Sequence, residues 1–259
     1  MGLVIKGREI CSGRLPMICV PLMGADYEGV MSHLNTILEA AANTKIDIVE
    51  LRGDFLETLE DFEALDEVLQ GIRLKLKDII LLFTIRSPKE GGQQRSYDRA
   101  SIYDINKHVI QSGMADMVDV ELMSVDEDGN GLVELAKDSG VKIIMSNHDF
   151  DATPATEEIV RRLCRMQKLG ADVAKIAVMP NSKDDVLRLL DATRQMLEMQ
   201  SDIPVVTMSM GSLGAISRVS GEVFGSAITF GAVGEVSAPG QIPVDKLSAL
   251  LEDMHSYCV

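Results

Sequence analysis

The feature that most constrains this chain is a repeat of short β-branched apolar runs, each followed by a segment of helical length. The runs fall at 17–22 (MICVPL), 46–52, 79–85 (IILLFTI), 117–122 (MVDVEL), 142–146 (KIIMS), 172–178 (DVAKIAV), 204–209 (PVVTMS) and 226–230 (SAITF), spaced by roughly 22 to 38 residues. Strands alternating with helical patterns predict βαβ units and a parallel sheet. Eight such units with no linker-like shift in composition predict a closed (β/α)8 barrel of the α/β class. The 259 residues suit one barrel domain spanning 1–259. An open doubly wound sheet is the alternative, but the loop after the first run reads MGADYEG, without GxGxxG.

Between the runs, Thr153-Pro154 is expected to cap a helix carrying Ile159, Leu163 and Met166 and ending at Gly170. Ser182 with Asp185 resembles a capping box ahead of Val186, Leu189, Leu190 and Leu197. Leu59, Phe62, Leu65 and Leu69 are spaced as one helical face. Residues 1–14 precede the first strand and are expected to form a β-hairpin closing the barrel bottom.

The charge balance, 25 basic minus 40 acidic residues or −15, argues against nucleic acid as a partner. An anionic ligand would need arginines placed inside a site, against the protein's own field. The four cysteines, Cys11, Cys19, Cys164 and Cys258, show neither CxxC pairing nor metal-ligand spacing, so a metal site is not expected and reduced thiols of a cytoplasmic protein are. No run approaches the 18 apolar residues of a membrane span.

In a barrel, function gathers at the C-terminal ends of the strands, which filters the polar residues by position. Glu50 and Arg52 lie two apart on the second strand and share a face, where they can pair or frame a site. Asp119 and Glu121 repeat the pattern on the fourth strand with no arginine beside them in sequence. Arg86 ends the third strand, followed by Pro88, Lys89, Glu90 and two glycines, and its fork suits a carboxylate or phosphate. Of the four histidines, only His148, in SNHDF, falls at a strand end; His33 and His108 fall on predicted helices and His255 near the terminus. Imidazole suits proton transfer near neutrality.

Lys175 lies inside the sixth strand, with Val173 and Ala177 on its own face. Burial disfavours the ammonium form of a lysine and so favours a nucleophilic amine of the kind imine-forming enzymes use. An ion pair with a nearby carboxylate is the competing reading. Met208 and Met210 share a face of the seventh strand and can be plain core or pocket lining, and Arg218 is placed at the start of the next helix. Gly211 and Gly214 either cradle an anion or turn the chain. Phe230 ends the eighth strand, feeding a small-residue loop over 231–244 in which Ser237 and Gln241 are the hydrogen-bonding groups; loops of that length are often lids.

VELR at 49–52, FTIR at 83–86, SNHDF at 146–150, KIAVMP at 175–180, TMSMGSLGAISR at 207–218 and SAPGQ at 237–241 together resemble type I 3-dehydroquinate dehydratase, nearly end to end. The resemblance implies a TIM barrel, a homodimer, no cofactor, and a hydro-lyase of the shikimate pathway that converts 3-dehydroquinate to 3-dehydroshikimate. Carried over by position, Lys175 matches the imine-forming lysine, His148 the general acid/base and Glu90 its orienting carboxylate. Arg218 matches the grip on the substrate carboxylate. Glu50, Arg52, Arg86, Ser237 and Gln241 match residues that bind ring hydroxyls or frame the pocket, and Met208, Met210 and Phe230 its apolar lining. Pro21 stands where some members carry serine. Two other readings remain at this stage: a class I aldolase-type enzyme acting on a sugar phosphate, and a non-catalytic carboxylate-binding barrel.

Overall fold

The computed structural model describes residues 2–95, 97–125, 131–234 and 237–258. Eight parallel strands follow the eight apolar runs: β3 (Met17–Leu22), β4 (Ile48–Arg52), β5 (Ile80–Thr84), β6 (Met117–Glu121), β7 (Lys142–Asp149), β8 (Val173–Val178), β9 (Val205–Ser209) and β10 (Ile228–Ala232). An antiparallel hairpin, β1 (Gly2–Ile5) and β2 (Arg8–Cys11), precedes them, and a short β11 (Ile242–Pro243) pairs in parallel with the end of β10. The sheet runs in sequence order from β3 to β9, with β10 paired back on β3. β9 and β10 meet through one bridge, Val205 to Ser226, so the curled sheet closes there on a thin seam.

Strict alternation sorts each strand into an inner and an outer face. On β4, Val49 and Leu51 point outward into the large cluster shared with the helices. Ile48, Glu50 and Arg52 take the other face, Ile48 in the barrel interior and the two charged residues in the cavity above it. β6 and β8 repeat this: Met117 then Asp119 and Glu121, and Val173 then Lys175 and Ala177, with the apolar residue always at the N-terminal end. On these three strands charged side chains stand above an apolar floor, while β9 and β10 stay apolar up to the mouth with Met208 and Phe230.

The helices follow the same economy. α1 (Tyr27–Ala41), α2 (Phe62–Leu76) and α3 (Arg99–Ser112) are capped by Asp26, Asp61 and Asp98, each accepting backbone N–H bonds of the first turn. α4 (Leu132–Ser139), α5 (Thr156–Lys168), α6 (Lys183–Gln195), α7 (Ala215–Val219), α8 (Gly221–Phe224) and α9 (Val244–Cys258) complete the described set. Ser182 and Asp185 form the expected capping box on α6. Thr153 is not a cap: its hydroxyl donates to the Met179 carbonyl, and α5 starts three residues later behind Ala155. Leu59 is buried ahead of α2, while Phe62 is half exposed and stacks on His108. Leu197 lies beyond α6, in the π-turn 196–200.

The hairpin does close the floor. Ile5 and Ile10 pack into the interior cluster against the lowest layer of barrel side chains. Three aspartates stand one residue before alternate strands, and each accepts the backbone N–H opposite it on the preceding strand. Asp47 takes Ile18 at 3.0 Å, Asp116 takes Leu81 at 2.7 Å and Asp172 takes Ile143 at 2.9 Å. Arg8 pairs with Asp47 at 2.7 Å and Lys6 with Asp116 at 3.3 Å, so the hairpin is fastened to two of these carboxylates. At the seam serines take over: Ser226, two residues before β10, accepts the N–H of Thr207, and Ser12 supplies the acceptor for Val205.

Candidate active site

Lys175, His148, Glu90, Glu50, Arg52, Arg86, Arg218, Ser237, Gln241, Met208, Met210 and Phe230, scattered over the sequence, all line one cavity at the C-terminal ends of the strands. Phe150 and Ala177 line it too.

Lys175 is 2% exposed. Its Nζ lies 3.5 Å from Asp119, two strands away, 3.6 Å from Glu50, on the far side of the barrel four strands away, and 4.4 Å from the centre of the Phe230 ring. The apolar wall and the ion contact, set against each other in the sequence, are thus both present. Glu50 also accepts the Thr84 hydroxyl at 2.9 Å. It does not pair with Arg52, whose guanidinium forms a two-point bond with Asp54 at 2.8 Å and lies over the Phe55 ring. The spacing aligned Glu50 and Arg52 on one face, but the turn after β4 brings a better-shaped partner to the arginine.

Nor do Asp119 and Glu121 lack an arginine. Arg86 reaches over from the end of β5 and contacts Glu121 at 3.0 Å, Asp119 at 2.9 Å and Glu90 at 3.6 Å. The Asp119 contact is electrostatic, since neither atom makes an aligned hydrogen bond. Burial works against the Arg86 charge, yet the three carboxylates outweigh it and hold the group firmly protonated. Burial likewise pulls the Asp119 carboxyl up, and Arg86, Lys175 and the Ser146 hydroxyl at 2.6 Å bring it below the ordinary carboxylate range. Arg86 is the keystone of an acidic cluster.

Glu90 sits in the turn after β5 and is gripped from β7. One oxygen accepts the Asn147 amide at 3.1 Å; the other accepts the His148 backbone N–H at 2.9 Å and faces His148 Nδ1 at 2.8 Å. With Nδ1–H donating to Glu90, Nε2 carries the lone pair. Burial, then Arg86, Lys175 and Arg52, push the imidazole well below its ordinary value. Burial and the neighbouring Glu121 raise Glu90 to about 7. The two share a proton boundary, and above about pH 7 the pair holds a neutral imidazole on a carboxylate.

Arg218 contrasts with Arg86. It is 1% exposed, and among the described residues no carboxylate pairs with it. Its Nη1 and Nη2 donate to the carbonyls of Phe230 at 3.4 Å and Pro239 at 3.0 Å, and Nε has no partner. Desolvation lowers it to about 10. A buried cation without an anion is costly unless one arrives with a ligand. Arg218 lies in the last turn of α7 rather than at its start. Gly211 and Gly214 turn the chain: Gly211 has φ +67°, and a side chain on Gly214 would strike the Ser209 carbonyl.

The segment after β10 is shorter than 231–244, because β11 pairs with β10 at its base. Glu235 and Val236 lie outside the described residues. Ser237 and Gln241 bond each other, through Ser237 N–H to Oε1 at 2.8 Å and Nε2 to the Ser237 hydroxyl at 3.0 Å, which shapes the turn between them. The Pro239 carbonyl accepts both Arg218 and the Gly211 N–H, docking this turn on the loop after β9. It leaves a cavity of about 50 Å³, room for a water or two.

Two adjoining strands and the turn after β5 thus bring together a buried amine, a carboxylate-held imidazole and an arginine that no described carboxylate neutralises, in a barrel suited to small carboxylic acids. The family model described as type I 3-dehydroquinase matches residues 18–257. The 3-dehydroquinate dehydratase of Clostridioides difficile strain 630 is 46% identical over 251 residues, 97% of this chain and 96% of that protein. That of Bacillus subtilis strain 168 is 46% identical over 253 residues, 98% and 97%. Among solved structures, the Clostridium difficile type I enzyme with covalently modified comenic acid superposes with a TM-score of 0.93 at 44% identity, over 99% of both chains. This chain belongs to the type I 3-dehydroquinase family.

Proposed function

We propose that this protein is a hydro-lyase that converts 3-dehydroquinate to 3-dehydroshikimate through an imine on Lys175. The observation that carries the reading is Lys175 buried in the barrel beside the Glu90–His148 pair, with no carboxylate among the described residues paired to Arg218.

Lys175 Nζ, as the amine, attacks the C3 ketone; a carbinolamine forms and loses water to give an iminium. The iminium draws electrons from the ring, so the C2–H becomes acidic. His148 Nε2 removes that proton, the electron pair moves into the ring, and the C1 hydroxyl leaves as water with a proton returned by the same imidazole. One base serving one ring face gives syn elimination. Water then hydrolyses the imine and frees Lys175. Glu90 holds the imidazole by Nδ1, and Arg218 receives the substrate carboxylate. Met208, Met210 and Phe230 form the apolar wall, and Glu50, Arg52, Arg86, Ser237 and Gln241 frame the ring hydroxyls or the pocket.

The cavity is too small for a cyclic acid with three hydroxyls, so the turn carrying Ser237 and Gln241 lifts to admit it. The assembly that the family resemblance implies is a homodimer, and the exposed Ile216, Val223 and Leu250 offer an apolar surface for it. The four unpaired cysteines fit a cytoplasmic setting; no helix of the described residues is long and apolar enough to cross a membrane. The decisive experiment adds 3-dehydroquinate, reduces with borohydride and maps the labelled peptide. An adduct on Lys175 is expected; a folded, ligand-binding protein that gives none would refute the imine.

A further inference from the structure

The mouth contains a chain of contacts that the reaction scheme above does not use. On α5, the Arg162 guanidinium bonds Glu158 at 2.7 Å through Nε and donates through Nη1 to Asn147 Oδ1 at 2.9 Å. Asn147 then donates its amide to the outer oxygen of Glu90 at 3.1 Å. An asparagine amide can present either end to a neighbour. Arg162 has only donors, so it fixes Oδ1 toward α5 and leaves Nδ2 as the end facing Glu90. Alternation on β7 explains the geometry: Ser146 and His148 face the barrel, and Asn147 faces the helices, where α5 can reach it.

We propose that Arg162 is a positioning residue for proton transfer, acting through the orientation of Asn147 on Glu90 and thence on His148. The inference rests on the proposed roles of Lys175 and His148. With Arg162 in place, the Glu90 carboxylate receives donors on both oxygens, from Asn147 on one and from the His148 backbone on the other. Without it, Asn147 is free to turn its carbonyl oxygen toward Glu90. A carboxylate facing an acceptor takes up a proton more readily, and protonated Glu90 no longer holds His148 Nδ1–H. The charged groups around this pair are otherwise fixed: Arg86 from the end of β5, Asp119 and Glu121 from β6, Lys175 from β8, and Arg52 from β4. Because Arg162 and Glu158 belong to the helix layer, the pH range of catalysis is set partly from outside the barrel.

The test is the pH dependence of kcat/KM for Arg162→Met, Arg162→Lys, Asn147→Ala and the double variant, with thermal stability recorded for each. Arg162→Met is expected to lower kcat by about three- to tenfold with KM within about twofold, and to move the acid limb to higher pH. Arg162→Lys, which can still donate to Asn147, restores most of the limb. In the Asn147→Ala background the loss of Arg162 adds nothing further, as coupled residues require. A folded Arg162→Met enzyme whose profile overlays the wild type, or penalties that add in the double variant, would overturn the proposal. If Arg162→Met does not fold, Glu158→Gln, which loosens the arginine, must shift the limb in the same direction, and an unshifted limb refutes the inference equally. A wild-type protein that gives no turnover and no borohydride adduct would instead refute the reaction itself.

Discussion

The two ends of this barrel handle charge in opposite ways. At the floor, each strand-leading carboxylate, buried Asp47 and half-buried Asp116 and Asp172, has a defined duty: it accepts a backbone N–H across a strand pair, and Arg8, Lys6 and Lys142 neutralise the three. At the mouth the accounts do not close. Four acids, Glu50, Glu90, Asp119 and Glu121, crowd around Arg86 and Lys175, while Arg218 meets only carbonyls among the described residues. Balanced charges at the floor hold strands in register; unbalanced charges at the mouth await a ligand. The lesson is that a buried charge discloses its role by whether its partners are already present.

Substitutions at the two ends should therefore separate activity from stability. Lys175→Ala carries the largest expected effect, abolishing turnover and the borohydride adduct while the circular dichroism spectrum stays native. Arg218→Met should raise KM by about 10- to 100-fold, the worth of a charge-assisted bond to the ligand, and change the melting temperature little, because loss of the bonds to the Phe230 and Pro239 carbonyls is offset by removal of a buried cation. Loss of stability comparable to that of a floor variant would contradict the contrast.

The Glu90–His148 pair sharpens the comparison by pH. Glu90, raised to about 7, is protonated below that value, so kcat/KM should fall on the acid side with a midpoint near 7, and Glu90→Gln should flatten that limb as it lowers the rate. The stability sign is the reverse. A carboxyl whose folded pKa lies above its unfolded value of 4.5 contributes stability that is full below 4.5 and lost as pH rises through about 7. Denaturant titrations at pH 5 and pH 8 in wild type and Glu90→Gln would measure it. Asp47→Ala, at the floor, should cost about 1–3 kcal/mol of unfolding free energy by stranding the Ile18 N–H, with kcat of the folded fraction unchanged. Lys6→Ala, a partly exposed pair, should cost at most about 1 kcal/mol.

Much of this was legible from the sequence because it depends on period. The strands follow apolar runs, and alternation within VELR and DVAKIAV aims Glu50, Arg52 and Lys175 inward without knowledge of the fold. Partnerships were not legible where they cross between elements. Arg86 reads as a free fork but is occupied by β6, Arg52 takes Asp54 from the following turn, and Asn147 depends on Arg162 from the next helix. Spacing shows which side a residue faces, whereas contact across strands needs the barrel's register. The floor clamps did leave a signal: an aspartate directly before three of the strands, in IDIVE, ADMVD and ADVAK.

The seam between β9 and β10 has a mechanical consequence. The strands share one bridge, and above it α7 does the stitching: Ser217 bonds both backbone groups of Ser209 on β9, Thr229 on β10 donates to the Arg218 carbonyl, and Arg218 itself reaches Phe230. The arginine proposed to meet the ligand is thus also a rivet across the thinnest joint in the wall. A ligand that neutralises it should stiffen that joint, so a loaded barrel resists opening in a way an empty one does not, and amide exchange along β9 and β10 would register the difference.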